Sequence, residues 1–126
     1  MPPFAGVRVL VVEDEGAVAM LIEEMLEDFG CEVVASVARL ATAQDQASTA
    51  LVDLAILDVN LAGERVFPVA EILRNRGIPF LFSTGYGASG VPDDFAGYPV
   101  LHKPFSESEL LQRMTLALRH RASTSA

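Results

Sequence analysis

Six polar residues stand directly after short apolar runs. Glu13 and Asp14 follow VRVLVV at 7–12, and Asp58 follows LAIL at 54–57. Ser83 and Thr84 close the run beginning at Ile78, and Lys103, with Pro104 behind it, follows VLH at 100–102. Three carboxylates brought together repel, and one takes up a proton unless a cation removes the conflict. Mg²⁺ suits such a set, because it prefers oxygen, uses few carboxylates and keeps waters that a phosphate can replace. Lys103 adds a positive charge, and the Thr84 hydroxyl can donate to a phosphoryl oxygen. The set reads as a phosphoryl-transfer site with a carboxylate nucleophile.

The runs that carry these residues read as strands, and a fifth is CEVVA at 31–35. Between them lie helical patterns. Val18, Leu21, Ile22, Met25, Leu26 and Phe29 form one stripe that Gly30 can close. Residues 38–50 are a weak helix rich in alanine and glutamine. Residues 66–76 form another, with Gly77 as its stop; Pro68 fits only in its first turn. Ser106 and Glu109 make a capping box for a last helix through Leu110, Leu111, Met114 and Leu118. Its leucines are core first, with an outer edge that could serve as an interface. Arg119, His120 and Arg121 suit the dipole at its end, and 122–126 read as a frayed tail. Strands alternating with helices predict an α/β fold: a doubly wound, five-stranded parallel sheet in one domain over 1–126, with its core at about 7–120. In such sheets ligands bind at the carboxyl ends of the strands, where the six polar residues fall.

Bulk properties narrow the function. The chain has 126 residues, half of them apolar, and a formal net charge of −8. An acidic surface repels phosphate backbones, so direct nucleic-acid binding is disfavoured. Cys31 is the lone cysteine, which leaves neither an internal disulfide nor a cysteine metal cluster; it reads as a small core residue. The start lacks a basic segment before its apolar run, and the apolar runs are too short to span a bilayer. No membrane partner is expected, and the cytoplasm is the default compartment. Asp53, Asp93 and Asp94 read as loop or cap acids, and His102 and His120 as surface residues.

One motif competes for attention. Gly85, Gly87 and Gly90 spell G-x-G-x-x-G after an apolar run. A dinucleotide fingerprint needs a helix growing out of its glycines and an acid at the end of the next strand. Pro92 and Gly97 interrupt the helix, and the next strand ends in His102-Lys103. The glycines instead suit a loop beside Thr84 that changes shape when phosphate arrives.

VVEDE, LDVNL, STG and HKPF, in this order and at these strand ends, resemble the receiver domain of two-component response regulators. The resemblance implies a flavodoxin-like sheet of order 2-1-3-4-5. It implies that Asp58 accepts a phosphoryl group from a sensor histidine kinase or a histidine phosphotransfer protein. It implies Mg²⁺ held by Asp14 directly, by Glu13 mostly through water, by Asp58 and by the backbone carbonyl of Asn60. Thr84 and Lys103 would grip the phosphoryl oxygens, and the Lys103-Pro104 bond would be cis. PFLFSTGYG further resembles the FAT GUY subgroup of single-domain receivers: Phe82, Thr84 and Gly85 match, Ser83 replaces alanine, and Tyr86 follows Gly85 without a spacer. That subgroup implies a fourth helix that is short, irregular or replaced by a loop, and residues 84–98, with four glycines and Pro92, show no helical stripe. It also lacks the usual aromatic switch residue, and Val100 stands in that place, with Tyr86 or Tyr98 as substitutes. The expected protein is a stand-alone phosphorylation switch that turns over no metabolite and signals through a downstream protein or a phosphoryl relay. Two rivals are a phosphate-independent pseudo-receiver and an aspartyl phosphatase. The second usually needs an acid two residues after its nucleophile, where this chain has Asn60.

Overall fold

The computed structural model describes residues 2–85 and 90–124, and for 120–124 the backbone alone. Expectations placed on Tyr86, on Gly87 and on the side chains of His120 and Arg121 lie outside the described residues. In chain order the elements are β1 (Arg8–Val12), α1 (Gly16–Asp28), β2 (Glu32–Val37), α2 (Leu40–Thr49), β3 (Leu54–Asp58), β4 (Asn60–Leu61), β5 (Glu64–Arg65), α3 (Phe67–Asn75), β6 (Phe80–Thr84), β7 (Val100–His102) and α4 (Glu107–Thr124). Among the described residues between β6 and β7, the 3₁₀ turn Asp93–Phe95 stands where a helix would complete the alternation.

Five strands form one parallel sheet in the order β2-β1-β3-β6-β7. This is the expected flavodoxin-like order. The central strands β1, β3 and β6 are apolar on both faces because helices cover both faces. The edge strand β2 alternates between exposed and half-buried residues. The register pairs Val12 with Leu57, Asp58 with Ser83 and Thr84 with His102. Four strand ends therefore finish side by side, and the residues that follow them share one edge.

Each face has its own core. On one side, α1 and α4 cover Val9, Val11, Leu54, Ile56, Leu81 and Leu101. On the other, α2 and α3 cover Leu10, Val12, Leu57, Phe80 and Phe82. The α1 stripe is narrower than its spacing predicts: Leu21 is 45% exposed, and Ala19 takes the buried position half a turn earlier. Gly30 ends α1 at φ +86°, where a Cβ would stand 2.7 Å from Pro2 Cβ, so only glycine fits. Pro68 lies in the first turn of α3, as its missing N–H requires. At α4 the capping box closes in both directions, Glu109 N–H to Ser106 Oγ at 3.1 Å and Ser106 N–H to Glu109 Oε1 at 3.0 Å. The helix then runs to Thr124, through most of the stretch expected to fray; neither Gly nor Pro follows Pro104 to stop it.

The β4–β5 hairpin is an addition to the expected elements. It turns on Ala62 (φ +50°) and Gly63 (φ +91°), the left-handed pair that a two-residue hairpin demands. Charge is also unevenly spread. Residues 9–38, which hold the body of β1, all of α1 and the edge strand β2, contain eight of the seventeen acids and neither Lys nor Arg. The remainder balances nine acids against nine bases, so one flank carries the whole net charge. Among the described residues, no helix is long and apolar enough to cross a membrane.

Candidate functional site

The strand ends bring the expected residues together. Glu13, Asp14 and Asp58 each offer a carboxylate oxygen, and these atoms lie within 4.8 Å of one another. Glu13 and Asp58 are 3% and 5% exposed. Lys103 Nζ sits 2.9 Å from Glu13 Oε1 and 3.3 Å from Asp58 Oδ2. Thr84, also buried, accepts the Lys103 N–H on its carbonyl at 2.9 Å, which locks the ends of β6 and β7 together. The Lys103-Pro104 peptide is cis. Above this floor opens a cavity of about 290 Å³ lined by Asp14, Glu15, Asp58, Asn60, Thr84, Gly85 and Lys103.

The electrostatics follow from crowding. Burial pushes the Asp58 carboxyl up, the neighbouring Asp14 and Glu13 push it further, and Lys103 opposes them; the result is about 8. Burial also raises Asp14, but its hydrogen bond with Asp58 and the Ala62 N–H outweigh burial, and it ends below the ordinary carboxylate range. Crowding therefore raises Asp58 while Asp14 is held down. Burial lowers Lys103, yet its contacts with Glu13 and Asp58 more than reverse this, so it stays charged.

Other expectations resolve elsewhere. Val100 is half-buried, and Tyr98 stacks on Phe80 at 4.1 Å within an aromatic cluster. His102 is exposed. Cys31 is buried in the core, and burial pushes its thiol up to about 11. Asp53 is more than a loop acid: it accepts the Arg8 N–H at 2.9 Å and pairs with the Arg8 guanidinium at the far end of the sheet.

Sequence reasoning missed the hairpin's part in the site. Ala62 N–H donates to Asp14 Oδ2 at 3.0 Å, and Gly63 N–H donates to Asn60 Oδ1 at 3.0 Å. Arg65, at the hairpin's end, donates to the Gly90 carbonyl and lies 5.3 Å over the Phe67 ring. Gly63, which suits the left-handed turn position, was the one weak signal; Ala62 gave none.

A family model described as the response regulator receiver domain matches residues 9–115. The chain belongs to the response regulator receiver domain family. The solution structure of SdrG from Sphingomonas melonis is 40% identical, with a TM-score of 0.82, over 91% of this chain and 98% of that one. The response regulator PhyR from Brucella abortus is 26% identical with a TM-score of 0.81, over 96% of this chain and 51% of that one. Transcriptional regulatory protein PdtaR of Mycobacterium tuberculosis is 30% identical over 115 residues, 88% of this chain and 56% of that protein. This receiver thus spans about half the length of the curated relatives it matches. Its family places it in two-component signal transduction.

Proposed function

We propose that this receiver is a phosphorylation switch in which Asp58 takes a phosphoryl group from the phosphohistidine of a sensor histidine kinase or phosphotransfer protein. The observation that carries the reading is the buried acid cluster with Lys103 bridging Glu13 and Asp58 beneath an open cavity. A set of hard oxygen donors crowded enough to raise Asp58 to about 8 fits Mg²⁺. Glu13, Asp14, Asp58 and the Asn60 carbonyl would hold it. When bound, Mg²⁺ supplies the positive charge that offsets the crowded carboxylates and the incoming phosphate.

The chain's own groups do the rest. An Asp58 carboxylate oxygen attacks phosphorus as the phosphorus–nitrogen bond breaks. Lys103, already within 3.3 Å of Asp58, follows the new negative charge onto the phosphoryl oxygens. The Thr84 hydroxyl, at the end of β6, donates to another. The 3₁₀ turn Asp93–Phe95, together with Val100, supports assignment to the FAT GUY subgroup. Residues 1–126 act as one unit, in the cytoplasm. Output passes to a protein partner or along a relay. PhyR of Bartonella quintana, 26% identical, is described as an anti-anti-sigma factor, and a partner-exchange output of that kind is compatible with this chain.

The test is intact mass after incubation with Mg²⁺ and acetyl phosphate. The wild type gains one phosphoryl group and Asp58→Asn gains none. If neither protein gains mass, and a phosphorylated histidine kinase also fails to transfer, the switch gives way to a phosphate-independent binding module.

A further inference from the structure

The β4–β5 hairpin touches the acid cluster at one end and the chain beyond β6 at the other. At the acid end, Asn60 N–H approaches Asp58 Oδ1 at 3.4 Å and Ala62 N–H holds Asp14 Oδ2 at 3.0 Å. The hairpin is tied to itself by the Asn60 side chain, which accepts the Gly63 N–H, and by the Asn60–Arg65 and Leu61–Glu64 pairs. Its base is closed by Val66 N–H on the Val59 carbonyl at 3.0 Å. These ties make the hairpin one bonded unit between the acids and Arg65. At the far end, the Arg65 guanidinium donates to Gly90 O and covers Phe67. Phe67 stacks against Phe95 of the 3₁₀ turn, at 5.8 Å and 21°. Phe95 in turn meets Tyr98 at 5.9 Å, and Tyr98 lies on Phe80.

We infer that Arg65 is a positioning residue: it couples occupancy of the Glu13–Asp14–Asp58 cluster to the arrangement of Gly90, Phe95 and Tyr98. The inference rests on the proposed phosphoryl-accepting site. When Asp14 and Asp58 turn toward bound charge, the two N–H groups that hold their oxygens follow or let go, and the hairpin shifts. Arg65 is exposed and contributes little to the core, so its guanidinium serves as a connection more than as a support. The nearby Gly90 suits this role, because a Cβ there would stand 3.3 Å from Arg65 Nη2 and crowd the grip. The shift reaches the aromatic rings, which pack as discrete stacks and have few intermediate arrangements.

The experiment uses the full chain labelled with ¹⁵N, as wild type, Arg65→Met and Arg65→Lys, with Mg²⁺ and acetyl phosphate as the probe. Amide shifts are followed at Ala62, near the cluster, and at Gly90, Phe95 and Tyr98. Intact mass reports the phosphorylated fraction. In the wild type all four positions respond. In Arg65→Met the mass gain and the Ala62 response persist, while the response at Phe95 and Tyr98 falls about threefold or more. Arg65→Lys, which keeps a cation and a donor, recovers part of it. Undiminished shifts at Phe95 and Tyr98 in Arg65→Met overturn the coupling. So does a wild type that gains mass and moves Ala62 alone, and either result leaves the phosphorylation reading standing. A wild type with neither mass gain nor any shift sinks both.

Discussion

The two faces of the sheet are covered by different means. Beneath α1 and α4 the core is mainly aliphatic, with Ile22, Leu26, Leu101, Leu110 and Met114 fully buried and Phe29, edge-on to Phe4, at its margin. These are the longest helices, thirteen and eighteen residues. The opposite face has shorter helices, of ten and nine residues, and α2 buries only Ala43 and Ala47. Near β6 and β7 that face is filled by rings: Phe67, Phe80, Phe82, Phe95 and Tyr98 contact one another at centroid distances of 4.1 to 6.4 Å. Arg74 closes the stack, 4.5 Å above Phe95. Aromatic rings bury much area with few rotamers, so they can cover a sheet where no long helix is available. One face is thus backed by long helices, and the other, near β6 and β7, by packed rings.

Ring removal is expected to have the largest effect. Phe82→Ala deletes contacts to four other rings and should lower stability by about 3–5 kcal/mol in urea unfolding. It should also slow phosphoryl gain from acetyl phosphate, because Phe82 lies two residues before Thr84. Leu26→Ala should cost about 2–5 kcal/mol and leave that rate unchanged. Equal slowing by both variants would erase the functional difference between the faces.

Next in size is a pH effect at the edge where both faces meet the site. The folded Asp58 carboxyl lies at about 8, far above its unfolded value of about 3.9. Between these values the folded chain holds a proton that the unfolded chain releases. Its contribution is full below about pH 4 and is lost as pH rises through about 8. Protein stripped of divalent cations should therefore lose denaturation midpoint over that window, and Asp58→Asn should flatten the slope. An unchanged slope in the variant would place the proton elsewhere.

Lys103→Met tests the same cluster from its cationic side. It leaves Glu13 and Asp58 buried without their ammonium, and should cost about 1–3 kcal/mol at pH 8 in chelator. Mg²⁺ should restore part of the loss. The smallest effect belongs to the aliphatic face. Ser106→Ala removes the Oγ that caps α4 and should cost about 1 kcal/mol with no change in phosphoryl gain. A slowed gain would show that α4 also acts on the site.

Much of this was legible in the chain. The strand runs, the Ser106 box, Pro68 and the acids at strand ends each carry a local physical signature, and each stands where that signature puts it. The failures share a cause. Leu21 and the 60–65 hairpin are decided by what packs against them, and spacing alone does not report that. Ala62 is the clearest case. Its contribution to the site is a backbone N–H on Asp14, which any residue type could supply, so its identity announces nothing. Asp53 is similar, since its partner Arg8 lies 45 residues away in sequence and meets it only once β1 and β3 are paired.

The charge on residues 9–38 has a consequence for encounters in solution. A body whose −8 sits on one flank, with the rest neutral, carries a large electric dipole. A basic partner exerts a torque on it before contact, turning the β1–α1–β2 flank forward. Within the screening length of about 8 Å in physiological salt this torque favours one approach over others, and concentrated salt removes it. How quickly such a partner finds this receiver should then depend on ionic strength far more than how tightly it finally holds.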